Sequence, residues 1–461
     1  MKLKNNIKLK SIATIAMLVF AFITFSNCER ELSSEAELAT FPTIGDVYID
    51  GFSAGLDYFP FANSNFDAFR VDTEVKYMGS SSMRLNVPNV GNPKGPYAGA
   101  IFKTASGRDL SGFDALTFWA KGSSSGTINE IGFGQDFEEN KYIVTLRDLK
   151  ISTDWEKYTI ALPDASKLIN EKGMFWYSEG PENGNGYSIW IDELKFEKLG
   201  NLGQYRTAIF NGQNKSLTGF VNSQIKIDGL TQTVNLGSGA NQTIQIAPSY
   251  FTFESSDINI ATVNEAGIIS IHAPGNVKIT ASFNNKPVLG SLTIESIPFQ
   301  SAPTPTHDPS QVISVYSDSY TNINVDFFNG YWQPYQVTES SEISVNNNSM
   351  INYSKLNFVG IQFANPTVNA SGMRYMHIDM YTTSPIIAPS VMYIDLIDFN
   401  QPNSRAGAVF NSTVLVSKQW MSLTIDMSTL GLSRRDALAQ IVLNSASTLD
   451  NIYVDNIYFH N

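Results

Sequence analysis

Short runs in which apolar and polar residues alternate fill this chain from residue 46 onward. Examples are SSMRLNV at 81–87, LTFWAKG at 116–122 and YSIWIDELKF at 187–196, each bounded by Gly, Asn, Asp, Ser or Pro. A period of two is typical of β-strands, and many short strands at regular spacing predict β-sandwiches. Only 163–173 and 433–443 have a helix-like pattern, and both segments are short. We therefore predict an all-β protein.

Two breaks divide these runs into three predicted domains. Residues 297–310 hold four prolines, so we expect an extended linker there. A softer boundary follows the strand that ends near residue 199. The predicted domains are therefore 46–199, 205–296 and 311–461.

The first and third domains repeat one pattern. SGFDALTFWAK at 111–121 aligns with SGMRYMHIDMY at 371–381, and YSIWIDELKF at 187–196 aligns with DNIYVDNIYF at 450–459. Because the matched blocks occur in the same order, we predict that both domains have the same fold.

The composition excludes several classes of function. One cysteine and four histidines among 461 residues are too few for a disulfide framework, a zinc finger or a Cys/His nucleophile system. A net charge of −12, with no basic cluster in the body of the chain, argues against nucleic acid as a partner.

The N-terminus has the three-part pattern of a secretory signal. Four lysines precede an apolar run at 12–25, which is shorter than the 18 or so residues that a spanning helix needs, and Cys28 follows. Cys28 resembles the acylated cysteine of a bacterial lipoprotein, which implies a signal peptide at 1–27 and a tether at 28–45. A cleaved secretion signal followed by an incidental cysteine is the alternative.

Each domain also carries a family likeness. RDLSGFDALTFWAKG at 108–122 and GMFWYSEGPENGNGYSIWIDELKF at 173–196 resemble jelly-roll carbohydrate-binding modules of bacterial polysaccharide-degrading enzymes. ATVNEAGI at 261–268, with GNVKITA at 275–281, resembles a group 2 bacterial Ig-like domain. The third domain, through IYVDNIYF at 452–459, is similar to the C-terminal modules of Bacteroidetes laminarinases.

The whole chain resembles a surface glycan-binding lipoprotein of a Bacteroidetes polysaccharide utilisation system. The resemblance implies non-catalytic binding of a β-glucan, such as laminarin or mixed-linkage glucan, by both jelly-roll modules. It also implies lipid anchoring to the outer membrane, facing the exterior, with a glycan transporter and a secreted glycosidase as partners. An unrecognised polysaccharide-degrading enzyme and a structural or adhesive surface protein stay open as alternatives.

Sugar rings present flat C–H faces surrounded by hydroxyls, so proteins bind them with stacked aromatic rings and polar side chains. In the strand that contains Leu116 and Phe118 we expect alternate residues to face the core, which turns Trp119 and Lys121 outward. The repeat places three residues of the third domain on the same outward face: His377, Asp379 and Tyr381. The alternative is that Trp119 fills the core of a second sheet.

Two further aromatic pairs lie beside predicted turns. Trp176 and Tyr177 precede a Gly- and Asn-rich segment, and Trp332 and Tyr335 flank Pro334. An aromatic residue in such a place is either a lid over the core or a platform for a ligand. We keep both interpretations, and these four residues complete the predicted carbohydrate-binding set.

Jelly-roll modules of this kind often hold a structural calcium ion between the first and last strands. The resemblance implies Asp50 and Asp192 as ligands in the first domain, and Asp318 and Asp455 in the third. Carboxylates that only cap turns are the competing interpretation.

Two patterns suggest catalysis but lack its requirements. GFSAG at 51–55 has the spacing of a nucleophile elbow, yet no helix is predicted after it and no histidine follows within the domain. Asp136, Glu138 and Glu139 lie in a polar turn, whereas a glycosidase needs two carboxylates fixed across a cleft.

Overall fold

The computed structural model describes residues 40–330, 332, 334–400, 404–445 and 449–461. The prediction of an all-β chain is confirmed: in these residues the regular elements are 32 β-strands and four 3₁₀ turns of three residues each. The signal peptide at 1–27, Cys28 and most of the tether lie outside the described residues.

The first module contains eleven strands. They are β1 (Asp46–Tyr48), β2 (Leu56–Pro60), β3 (Phe69–Asp72), β4 (Ser82–Asn86), β5 (Ala98–Arg108), β6 (Ala115–Gly122), β7 (Gly126–Phe133), β8 (Val144–Ile151), β9 (Glu156–Ala161), β10 (Glu171–Glu179) and β11 (Ser188–Glu197).

The middle domain also contains eleven strands. They are β12 (Gly203–Ala208), β13 (Asn214–Phe220), β14 (Gln224–Lys226), β15 (Thr231–Asn235), β16 (Asn241–Ile246), β17 (Thr252–Ser255), β18 (Ala261–Val263), β19 (Ile268–Ile271), β20 (Gly275–Phe283), β21 (Lys286–Pro287) and β22 (Ser291–Ile297).

The last module contains ten strands. They are β23 (Val312–Tyr316), β24 (Glu339–Val345), β25 (Asn348–Ser354), β26 (Phe358–Gln362), β27 (Tyr375–Thr382), β28 (Val391–Asp398), β29 (Ser404–Asn411), β30 (Trp420–Asp426), β31 (Leu438–Ser445) and β32 (Asn451–His460).

Each module is a sandwich of two sheets, which we name back and front. The back sheet of the first module has the order β3-β4-β11-β6-β9, with β1 paired to β11. The back sheet of the last module has the order β24-β25-β32-β27-β30, with β23 paired to β32. The two orders correspond strand for strand, as the repeated sequence blocks predict.

The front sheets differ in extent. In the last module the front sheet has four strands, in the order β26-β31-β28-β29. In the first module the strands β2-β5-β10-β7-β8 continue without a break into β16, β15 and β12 of the middle domain, which makes a sheet of eight strands. The remaining middle-domain strands form two smaller sheets, β13-β22-β20-β17 with β21 paired to β20, and β14-β19-β18.

Alternation along the strands decides which residues form the cores. Leu116, Phe118 and Ala120 are fully buried between the sheets of the first module, as expected. Met376, Ile378 and Met380 take the equivalent place in the last module. The first module and the middle domain share one continuous apolar cluster, whereas the last module has its own.

Candidate functional site

The outer surface of the front sheet in the first module carries a group of aromatic side chains. Strand register puts Phe59 beside Ile101, Ile101 beside Trp176 and Trp176 beside Gly132. Phe61 and Phe137 lie against the same surface, with ring centroids 5.7 Å apart. We call Phe59, Phe61, Phe137 and Trp176 the aromatic face.

Trp176 forms the floor of the aromatic face. Its indole Nε1 donates to the carbonyl oxygen of Val144 at 3.3 Å, and only 3% of the residue is exposed. A Cβ at position 132 would lie 3.0 Å from that Nε1, so Gly132 gives the ring room to lie down on the sheet. Phe61 contacts Trp176 edge to face at 6.4 Å.

Phe137 is the most exposed ring of the aromatic face, at 49%. Its φ of 63° is in the left-handed region, which is unusual for a bulky residue. The loop holds this conformation through Asp136, whose carboxylate accepts from the backbone N–H groups of Glu138 and Asn140 at 2.8 and 3.1 Å. Lys103 also donates to the Asp136 carbonyl oxygen at 2.8 Å. An apolar ring kept in water by a strained loop is typical of a binding surface.

Charged side chains border the aromatic face, and several of them form ion pairs. Lys103 lies 5.7 Å above the ring of Phe59 and 3.6 Å from the carboxylate of Glu138. Glu138 also accepts from Lys172 at 2.7 Å, and both partners lower the pKa of its carboxyl. On the other side Arg147 pairs with Glu130 at 2.5 Å. The surface is therefore aromatic and polar, and Lys103, Lys172 and Arg147 each lie in an ion pair.

Tyr177 does not belong to this surface, and the structure corrects that part of the prediction. Successive residues of β10 point to opposite sides, so Tyr177 faces inward when Trp176 faces outward. The ring of Tyr177 is fully buried between Phe102 and Phe175, at 6.5 and 6.2 Å. It is a core residue.

Trp119 and Lys121 lie on the outer side of the back sheet, away from the aromatic face. The loop after β3 folds over Trp119 and stacks the ring of Tyr77 on it, with centroids 3.9 Å apart and planes at 12°. That face of the indole is therefore occupied by Tyr77, and the stacking role predicted for Trp119 stays a prediction. Lys121 of β6 lies opposite Trp190 of the neighbouring strand β11, and it is half-buried.

The front sheet of the last module carries the second aromatic group. Trp332 stacks on Phe358 at 5.7 Å and 20°, and its ring covers Gly360, where any Cβ would collide with it. Register places Asn444 and then Tyr393 beside Phe358. Tyr335 is 78% exposed in the turn that follows Trp332. The predicted pair, Trp332 and Tyr335, thus borders the face that corresponds to the aromatic face of the first module.

His377, Asp379 and Tyr381 lie on the back sheet of the last module, where other parts of the chain cover them. Tyr381 is 5% exposed and packs against Phe220 of the middle domain, at 5.9 Å. The carboxylate of Asp379 accepts from Ser422 and Asn456 at 2.6 and 2.8 Å. His377 stacks on Tyr458 at 4.7 Å and contacts Asp379 at 3.2 Å. The predicted sugar-binding role of these three residues is therefore corrected.

The proline-rich segment completes this cover. Trp420 donates to the carbonyl oxygen of Gln300 at 2.7 Å, and Asn456 donates to that of Pro303 at 3.0 Å. Further along, the ring of His307 stacks on His460 at 3.9 Å. These contacts fasten the segment along the back sheet of the last module.

The carboxylates of Asp50 and Asp192 bind backbone N–H groups of the same loop. Asp50 accepts from Ser80 and Ser81, and these bonds lower the pKa of its carboxyl. Asp192 accepts from Tyr77 and Met78 at 2.8 and 3.2 Å. Oxygens that accept N–H groups are poor candidates for calcium ligands, so this pair fits the turn-binding interpretation better than a metal site.

Asp318 and Asp455 also accept backbone N–H groups, from Ser349 and Asn456 at 2.6 Å each, but an unpaired oxygen lies near them. Burial, with Asp318 and Asp379 nearby, raises the pKa of the Asp455 carboxyl to about 7. The neighbouring Asn348 has a buried amide oxygen without a hydrogen-bond partner. These oxygens are compatible with a cation, yet no three carboxylate, histidine or cysteine groups come within metal-binding range in the described part of the chain. Calcium stays a prediction.

The acidic turn that contains Asp136 and Glu138 lines a polar cavity of about 510 Å³. Glu171 lines this cavity, and burial raises the pKa of its carboxyl to about 7. However, its Oε1 accepts from the backbone N–H groups of Lys172 and Gly173 at 3.0 and 2.9 Å, where β10 has an irregular register. Glu171 therefore has a structural role in its own strand.

The Ser53 hydroxyl in GFSAG donates to the carbonyl oxygen of Asp46 at 2.6 Å and accepts from Arg108 at 2.7 Å. It therefore joins the N-terminal strand to β5.

The sequence analysis missed Phe59, Phe61 and Phe137. A signal for the first two was present, because Tyr58, Phe59 and Phe61 surround Pro60 at the end of a strand, where alternation turns Phe59 outward. Phe137 gave no usable signal, since it lies in a turn of acidic residues.

The first module matches a known family. Residues 46–198 match the sequence profile described as carbohydrate binding domain 30. The matched residues are about a third of the chain, and they make the first module similar to this family of carbohydrate-binding domains. No curated protein matches the chain.

Several solved structures are similar to parts of the chain. The family 30 module of the cellulosomal cellulase Cel9D-Cel44B of Clostridium thermocellum is 23% identical, covers 36% of this chain and 100% of its own, and has a TM-score of 0.25. The family 11 module of Clostridium thermocellum, in complex with a β-1,3-1,4-mixed-linked tetrasaccharide, is 13% identical over 27% of this chain and 82% of its own, with a TM-score of 0.21.

The tandem CBM22 domains of Paenibacillus barcinonensis Xyn10C are 10% identical over 92% of this chain and 100% of their own, with a TM-score of 0.21. At these identities and TM-scores the likenesses add nothing to the family match.

Within the described residues, no helix has the length and apolar character required to cross a membrane.

Proposed function

We propose that this protein binds a neutral β-glucan through the aromatic face of the first module, without converting it. The observation that carries the proposal is the group of Phe59, Phe61 and Phe137 above Trp176, on a module that matches a carbohydrate-binding family. Rings held side by side offer sugar rings an apolar surface to stack on.

The charges around the aromatic face support a neutral ligand. Lys103 and Lys172 both pair with Glu138, and Arg147 pairs with Glu130. A uronic acid or a sulfated sugar would need a cation that is free to pair with it. β-linked glucans carry no charge and present flat faces, which suits this surface.

The last module supplies a second proposed site on the equivalent sheet. Trp332, Phe358 and Tyr393 give it rings, while Asn444, between Phe358 and Tyr393, gives it an amide. Two weak sites on one chain raise the affinity for a long polymer without any new contact.

Affinity electrophoresis in gels that contain mixed-linkage β-glucan or laminarin tests the proposal. The wild type should be retarded, and the double variant Phe61→Ala/Phe137→Ala should lose about tenfold or more of the affinity of the first module. Met78→Ala, an exposed apolar residue in the loop over the back sheet, is the matched control and should leave retardation unchanged. Equal retardation of the double variant and the control would remove the aromatic face from the proposal.

The same samples separate the two alternative functions. An enzyme would release reducing ends from these polysaccharides during incubation, whereas a binder would not. A structural or adhesive protein would show no retardation with any glycan of a broad panel.

We further propose that Cys28 anchors the protein to the outer membrane, facing the exterior, beside a glycan transporter and a secreted glycosidase. The support is the order of lysines, apolar run and cysteine in the sequence. Mass spectrometry of the protein from membranes should find the lipid on Cys28. If the wild type is as soluble as the Cys28→Ser variant, the proposal that Cys28 anchors the protein to the membrane is wrong.

A further inference from the structure

The front sheet of the first module does not end where that module ends. Strand β16 of the middle domain pairs with β8 through Gln245 and Thr145, and through Ile246 and Val144. We infer that the middle domain extends the glucan-binding surface, so that one polysaccharide chain lies across both domains. This inference rests on the proposed function of the aromatic face.

Strand register carries one row of residues across the junction. Trp176 lies beside Gly132, Gly132 beside Thr145, and Thr145 beside Gln245. Thr231 of β15 follows Gln245 in the same row. Directly paired residues point to the same side of a sheet, so this row faces the same way as Trp176.

Six polar side chains occupy that side of β15 and β16, and we call them the polar strip: Thr231, Thr233, Asn235, Asn241, Thr243 and Gln245. The opposite side holds core residues such as Val234 and Ile244. Within the strip the hydroxyls of Thr233 and Thr243 lie 2.8 Å apart, and Asn235 donates to Asn241 at 2.9 Å.

The chemistry of the polar strip suits the hydroxyls of a sugar. A threonine hydroxyl has one hydrogen to donate and two lone pairs, and an amide has two N–H groups and two lone pairs. One contact within the strip leaves each of these groups further capacity for a ligand. The six residues of the strip carry no charge, and Arg206 of β12 lies beside Thr233 on the same side of the sheet.

The junction between the two surfaces is fixed. Arg147 joins Glu130 of β7 to Gln245 of β16, at 2.5 and 3.0 Å. Behind the sheet, Gln242 donates to the carbonyl oxygen of Thr159 at 2.6 Å. Because the two domains also share one apolar cluster, the polar strip is held in line with the aromatic face.

The extra strands add useful length. Neighbouring strands lie about 4.8 Å apart, which is close to the length of one hexose unit, so the five strands of the first module span roughly four units and the eight-stranded sheet roughly seven. An oligosaccharide longer than about four units should therefore gain contacts that a shorter one lacks.

Calorimetry on the full chain with β-glucan oligosaccharides of graded length tests the inference. To isolate the first site, all samples carry Trp332→Ala in the last module. Affinity should rise with oligosaccharide length up to about seven units. The rise should exceed the gain expected from the larger number of positions in which a longer oligosaccharide can bind. Thr233→Ala/Thr243→Ala should lower the affinity for the longest oligosaccharide by about threefold to tenfold and leave that for a tetrasaccharide unchanged.

Thr252→Ala/Thr293→Ala is the matched control, because it removes two exposed threonine hydroxyls from the sheet β13-β22-β20-β17 of the middle domain. Asn241→Ala is a second variant of the polar strip, and the melting temperature of each variant checks that it is folded. If oligosaccharides bind but affinity stops rising at four units, or if strip and control variants behave alike, the inference falls while the proposed function stands. If no glucan binds at all, both fall.

Discussion

The first and last modules share a strand order, yet the surroundings of equivalent surfaces are not the same. On the back sheet of the first module, Trp119 is covered by Tyr77 from a loop of the same module. On the back sheet of the last module, Tyr381 is covered by Phe220 from another domain. A repeated fold therefore fixes which residues point outward, while the elements that pack there decide whether a ligand can reach them.

On the front sheets, by contrast, aromatic side chains stay exposed, and the two modules differ in the extent of the sheet. Both keep aromatic side chains accessible, at Phe137 in one module and at Tyr335 in the other. In the first module the sheet continues into the middle domain, whereas in the last module it ends at β29. Two related sites on one chain can thus differ in length although they have a common plan.

The largest expected effect comes from a comparison of two tyrosines of the last module, the covered Tyr381 and the exposed Tyr393. Tyr381→Ala should destabilise the packing of that module on the middle domain by about 3 kcal/mol, because it removes a buried aromatic ring. Its glucan affinity should not change. Tyr393→Ala, on the front sheet, should show the opposite pattern of a small loss of stability and weaker binding. Chemical denaturation measures the stability, and affinity electrophoresis measures the glucan binding. Weaker glucan binding by Tyr381→Ala would contradict the expectation that this residue is covered.

A buried acid should set a pH dependence in the first module. Burial raises the pKa of the Glu179 carboxyl to about 7 from an ordinary value of 4.5. The folded state then favours the protonated acid, so its stabilising contribution is complete below pH 4.5 and is lost as the pH rises to 7, in total about 2–3 kcal/mol. Glu179→Gln should flatten this dependence and be the more stable protein at pH 8. An unchanged slope of unfolding free energy against pH would contradict the assignment.

Binding by the last module should depend on Trp332. Trp332→Ala removes the ring that covers Gly360 and should weaken glucan binding at that site by about tenfold, or roughly 1–2 kcal/mol. The variant is best compared in a background with Phe61→Ala/Phe137→Ala, where the first site is already disabled. Residual binding that Trp332→Ala leaves intact would place the second site elsewhere.

The smallest expected effect concerns calcium. Among the four predicted calcium ligands, all within the described residues, Asp455 has the setting that best suits a cation, so a chelator should lower the melting temperature of the last module by about 2–4 °C and leave that of the first module unchanged. Added calcium should restore the transition. Thermal melting without any shift would remove calcium from this protein.

The sequence predicts the strands well because alternation is a local property. It assigns Leu116, Phe118 and Ala120 to the core correctly, and it finds the repeat that makes the two back sheets alike. It also names Trp176 and Trp332 as candidate binding residues, but it assigns neither of them to a sheet.

What the sequence does not show is contact between distant segments. Phe220 and Tyr381 are 161 positions apart in the numbering, and nothing local marks one as the cover of the other. The aromatic face depends in a similar way on a loop conformation, since Phe137 is exposed only because Asp136 holds its turn. Extension of the front sheet by β16 likewise arises from two pairs of residues, which no pattern in either strand predicts.

The pairing of β16 with β8 also has a consequence for the solubility of fragments. In the full chain β8 has neighbours on both sides, β7 and β16. A fragment cut near residue 199 would leave one side of β8 with unpaired N–H and C=O groups next to apolar residues such as Val144 and Ile143. Edges of that kind template aggregation between copies. The domain boundary that the sequence suggests is therefore a poor place to divide this protein, and residues 46–296 are the smaller unit that keeps the edge protected.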